Sequence, residues 1–132
     1  MGMATVAVTL GDRDASAQDG GGAGVFELRV YHCAEGRLPA LLSRFREHTM
    51  TIFERHGMKS VAYWAPTDEP LNSNTLFYIL KFPSREAATK SWKEFGGDPE
   101  WKRVQAESEK NGKIVERIES TFLELTDFSP KL

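Results

Sequence analysis

The chain has 132 residues, 40% of them hydrophobic and 27% charged, with a formal net charge of −2. That is the length of one domain with its own core and the composition of a globular protein. Lysine and arginine are scattered among the acids rather than gathered in a stripe, which argues against a nucleic-acid partner, and no apolar run nears the roughly 20 residues that span a bilayer.

Residues 1–24 differ from everything after them. They are rich in Gly, Ala and Asp, and Gly20-Gly21-Gly22 disfavours regular structure. Ala15-Ser16-Ala17 before Gln18 has the small residues of an export cleavage site, but the apolar stretch 4–10 is short and no basic residue precedes it. The segment reads as an irregular tail on a cytoplasmic protein, with the remnant of an export signal as the alternative.

Residues 25–132 read as one domain. Over 25–32 the residues alternate, Phe26, Leu28 and Val30 on one side and Glu27, Arg29 and Tyr31 on the other, which predicts a strand with an apolar and a polar-aromatic face. Leu38, Leu41, Leu42, Phe45, Ile52 and Phe53 then recur at helical spacing, with Pro39 in the first turn and Gly57 placed to close the helix. Arg44, Arg46 and Glu47 fall on its flanks or far side. Strands over 58–65 and 74–82 form a hairpin around a polar loop containing Pro66 and Pro70. Ser84 caps a second helix carrying Ala88, Trp92 and Phe95, and Gly96-Gly97 breaks it. Asp98-Pro99 restarts a helix anchored by Trp101 and Val104, Asn111-Gly112 stops it, and a last strand spans 114–125. The order β-α-β-β-α-β predicts an α+β, ferredoxin-like domain with a four-stranded antiparallel sheet and its helices on one face. The other face, left bare, exposes more apolar area than a monomer tolerates, so a homodimer is expected.

Phe26 through Tyr31, Phe45 through His48, Arg55-His56-Gly57, Tyr63-Trp64, Asp98-Pro99-Glu100-Trp101 and Asp127-Phe128-Ser129-Pro130 together resemble the NIPSNAP family, in that order and over nearly everything from Val25 onward. The resemblance implies a ferredoxin-like subunit that pairs into a dimeric α/β barrel, the architecture also used by cofactor-independent monooxygenases and some haem-degrading enzymes. It implies no defined activity and no cofactor. The chain departs from the family pattern at Met50, where relatives commonly carry Pro, and at Leu76-Phe77-Tyr78-Ile79, where relatives often place His or Trp.

Candidate chemistry centres on His48. At about 100° per residue it falls about 60° from Phe45, inside the apolar stripe. There it is either a core-edge histidine with a hydrogen-bond partner or a general base lining a pocket between sheet and first helix. His56, at the helix end, reads as structural, facing the last carbonyls. The two histidines stand eight residues and about 12 Å apart, too far to share a metal, and no metal site is expected. Cys33 reads as a small buried residue at a strand end, since His32 points to the opposite face and cannot activate it. If the Glu27, Arg29 and Tyr31 face lines the dimer barrel, its charges must pair. It is then a salt-bridged interface or an anionic-ligand clamp through Arg29 with Tyr31 as donor. Tyr63, Trp64 and Tyr78 would add aromatic walls. GxGxxG, P-loop and GxSxG patterns are absent from the sequence. The function expected is binding of a small molecule or partner. The alternative is a cofactor-independent monooxygenase-like enzyme acting on an aromatic or enolic substrate, with His48 as base.

Overall fold

The computed structural model of the chain describes residues 24–132, so the expectations for the N-terminal tail and its export signal lie outside the described residues. Strand β1 (Val25–Cys33) leads into α1, residues 38–55, which is built of Leu38–Arg44, a π-helical turn Phe45–Thr49 and Met50–Arg55. Strands β2 (Lys59–Trp64) and β3 (Thr75–Phe82) follow, then helices α2 (Arg85–Gly96) and α3 (Pro99–Ser108) and strand β4 (Val115–Leu123). The sheet order is β2-β3-β1-β4, with every neighbouring pair antiparallel. This is a ferredoxin-like α+β subunit. No described helix is long and apolar enough to cross a membrane.

Local chemistry sets the element ends. Gly57 closes α1 at φ +74°, a conformation that costs glycine little. Ser84 Oγ accepts the Ala87 N–H at 3.0 Å, and Asp98 Oδ1 accepts those of Glu100 and Trp101 at 2.8 and 3.2 Å. Each replaces an intrahelical bond that the first turn lacks.

The strand faces are reversed from the simplest reading of their polarity. Glu27 lies opposite Leu80, Arg29 opposite Tyr78 and Tyr31 opposite Leu76, and this is the face the helices cover. Phe26, Leu28 and Val30 share the open face with Lys81, Ile79 and Phe77. The polar set therefore lies inside the subunit and does not line a dimer barrel. Around it pack Leu41, Ile52, Phe53, Tyr78, Leu80 and Phe82, each at most 1% exposed. Burying one such side chain contributes about 1.5–3 kcal/mol, enough to hold the helices on this face despite the charges beneath them.

Candidate active site beneath the helices

Glu27 and Arg29 are the first polar groups under the helices, and they pair as their burial demands. Arg29 Nη1 donates to Glu27 Oε2 at 3.1 Å, Nη2 donates to Tyr31 Oη at 3.1 Å, and Nε reaches Tyr78 Oη at 3.4 Å. The other oxygen of Glu27 accepts the Trp92 indole N–H at 2.7 Å, and Ser120 Oγ also donates to the carboxylate. The guanidinium lies 4.0 Å from the centre of the Trp92 ring, a cation–π contact that adds to the pairing. Burial alone would pull the Arg29 pKa down, but the Tyr31 and Tyr78 oxygens more than offset it, and the group stays charged. Burial pushes the Tyr78 phenol well above its ordinary value, Tyr31 adds to the rise, and Arg29 pulls the other way.

The Tyr78 hydroxyl donates to Tyr31 Oη at 2.8 Å, so Tyr31 Oη accepts two hydrogen bonds. Tyr31 also lines a cavity of about 350 Å³ between the sheet, α1, α2 and α3. Phe45, Phe53, Phe95 and Trp101 are apolar walls, Arg44, Thr49, Gln105 and Glu109 are polar ones on the helix side, and Lys113, Glu116 and Arg117 add charges before and along β4. A volume of this order holds a small organic molecule, and rings with a few convergent polar groups are the usual lining of such a site.

The π turn decides which α1 residues face this space. Met50 N–H donates to the Phe45 carbonyl, one residue further back than in an α-helix, and Thr49 Oγ1 donates to the Arg44 carbonyl at 3.2 Å. An inserted residue of this kind rotates the chain about its axis and is frequent at functional sites. Thr49, 2% exposed, points to the core, while His48 is half-buried in an open groove between α1 and α3, beside Ser43, Glu47, Arg103 and Glu107. His48 therefore does not line the sheet–helix cavity, because constant α-helical phasing does not hold through residues 45–49.

The remaining expected residues divide. Arg29, Tyr31 and Tyr78 form one bonded cluster. Tyr63 adjoins it, stacked on Tyr78 at 5.2 Å, with its hydroxyl 2.7 Å from Ser60 Oγ and its pKa raised by burial against the pull of that bond. Trp64, opposite Phe77, is 49% exposed on the open face and has no part in the cluster. Cys33 is 3% exposed at the end of β1, and burial raises its thiol pKa. His56 Nε2 lies 2.7 Å from Asp98 Oδ2, which also accepts from Arg55 Nη2 at 2.7 Å, so the end of α1 is tied to the start of α3. Among the described residues no three His, Cys, Asp or Glu side chains gather as a metal would require.

Arg44 is the residue sequence reasoning missed. Its place on the helix flank suggested solvent, yet it is 5% exposed, because α3 lies against that flank. Its guanidinium is 5.0 Å from the Trp101 ring centre and donates to Ser108 Oγ and Glu109 Oε2 at 3.1 and 3.3 Å. The signal available in sequence was Trp101 itself, an aromatic at the start of a helix with few other apolar anchors.

Comparison with known proteins follows the fold. The family model NIPSNAP matches residues 26–130. A NIPSNAP family protein of unknown function from Agrobacterium tumefaciens superposes with a TM-score of 0.71 at 22% identity, over 84% of this chain and 96% of that one. SnoaB, a cofactor-independent oxygenase from Streptomyces nogalater, superposes at 0.54 and 13% identity, over 82% and 98%. A monooxygenase from Streptomyces coelicolor, in complex with Nanaomycin D, superposes at 0.54 and 14%, over 82% and 92%. At these identities the likeness is one of fold. No curated protein matches the chain.

Proposed function

Because the chain belongs to the NIPSNAP family, whose membership alone does not fix an activity, we propose that it is a homodimeric protein that binds a small molecule in the sheet–helix cavity. The observation that carries this reading is the cavity of about 350 Å³ lined by Tyr31, whose hydroxyl is held in place by Arg29 and Tyr78. A phenol fixed by two donors and flanked by rings binds and orients a planar molecule bearing an acceptor. Pairing would use the open sheet face, where Trp64 and Leu123 are exposed and Leu28, Phe77 and Ile79 are only half-covered.

The test is ligand-dependent melting of the full chain against a panel of naphthols and naphthoates, since a ligand that binds only the folded state raises its melting temperature. At least one planar compound should raise it, and Gln105→Trp, which narrows the cavity from the exposed side of α3, should abolish the rise. A panel without effect on the wild type would remove the binding reading.

The second reading is a monooxygenase-like enzyme on an aromatic or enolic substrate. It is supported by the fold likeness to the two Streptomyces proteins and by the same phenol at the cavity wall. His48 faces the outer groove, so the group in position to meet a substrate oxygen is Tyr31. Oxygen uptake with the binding naphthols would favour the enzyme, and its loss on Tyr31→Phe even at saturating naphthol would assign the step to Tyr31; binding without uptake would leave the protein a binder.

A further inference from the structure

Resting on the reading of the cavity as a binding site, we propose that its ligand is an aromatic carboxylic acid whose carboxylate is held by Arg44. A guanidinium carries five N–H donors in a fixed plane and cannot shed its charge, so its acceptors can be counted. Among the described residues two arginines are sunk beside the cavity, while Lys113 and Arg117 line it from exposed positions, and the two sunken ones are treated differently. Arg29 has acceptors for Nε, Nη1 and Nη2 within the subunit. Arg44 is more deeply buried, with 4% of its side chain exposed, yet its bonds run from Nη1 alone and its Nε–H finds no acceptor among the described residues. Arg37 also leaves Nε unbonded, but Arg37 does not line the cavity.

The carboxylate beside Arg44 is a poor neutraliser. Glu109 is 3.3 Å from a single nitrogen and 26% exposed, a one-point contact at the solvent side rather than a two-point fork. Guanidinium and carboxylate pair most strongly through two parallel bonds, and an incoming acid could meet Nη2, from which no bond runs among the described residues. Trp101 beneath the guanidinium and Ser108, bonded to Nη1, keep the group at the cavity wall. The rings of Phe45, Phe53 and Phe95 then select a flat apolar body behind the charge.

Calorimetric titration of the full chain with 1-hydroxy-2-naphthoate and with 1-hydroxy-2-naphthamide separates charge from shape. The acid should bind at least tenfold more tightly than the amide. Arg44→Met should bring the acid down to the level of the amide and leave the amide unchanged, and Arg44→Lys should restore part of the difference. Equal affinity of acid and amide for the wild type would overturn the proposal while the cavity reading stands, and this arm needs no variant to fold. A preference for the acid that survives in a folded Arg44→Met chain would likewise overturn it. Failure of both compounds to bind would take down the cavity reading and the proposal together.

Discussion

Charge beneath the helices is stable only while it is matched. The Glu27 side chain is 2% exposed and that of Arg29 14%, so removing one partner leaves the other desolvated and unpaired. By that argument Glu27→Ala should lower unfolding stability by about 3 kcal/mol, with Arg29→Met in the same chain recovering most of the loss. Urea unfolding of the two single variants and the double variant measures the coupling, and additive losses would show that the pair does not act as one unit. Reading the strand as apolar on one side and polar on the other found both residues and their pairing. It could not tell which side the helices cover, because a buried ion pair with Trp92 and Ser120 as extra donors imitates a solvent face in one dimension. Arg44 was hidden for the opposite reason: its burial comes from a helix 55 or more residues further along, whose docking leaves no periodic trace around position 44.

Helices α1 and α3 meet at one carboxylate. Asp98 caps α3 with Oδ1 and receives Arg55 and His56 on Oδ2, and those bonds from His56 and Arg55 hold its pKa well below the ordinary 3.8. A depressed carboxylate contributes stability that is fully present above the unfolded value and is lost as pH falls through the folded one. The wild type should therefore melt at progressively lower temperature between about pH 5 and pH 2, and Asp98→Asn should flatten that decline. Asparagine keeps the cap and loses the ion pairs, so the variant starts lower at neutral pH. Parallel pH profiles for the two proteins would mean that other carboxylates govern acid unfolding. The sequence showed both ends of this tie, a helix closing on Arg55-His56-Gly57 and another opening on Asp98-Pro99, but not that they touch. Caps are local and legible; the π turn at 45–49, which moved His48 off the core face, is a departure from helical phase that spacing alone does not reveal.

The two faces of the sheet differ: the helices cover one and enclose the cavity against it, and the proposed pairing uses the other. Four strands about 4.8 Å apart and some eight residues long present a footprint of roughly 500 Å², short of the about 800 Å² per partner of a stable interface. The remainder can come from the segment after β4, where Leu125, Phe128 and Leu132 are 43%, 84% and 78% exposed. Sedimentation at micromolar concentration should therefore give twice the chain mass, and Trp64→Glu with Phe77→Glu should give the single-chain mass. Desolvating two carboxylates within an apolar contact costs more than such an interface returns. A wild type that sediments as a single chain would overturn the homodimer. Because neither Trp64 nor Phe77 lines the cavity, the monomeric variant should retain the ligand-induced rise in melting temperature. Loss of that rise in a folded monomer would mean that pairing holds the cavity open, and that the two faces are not independent.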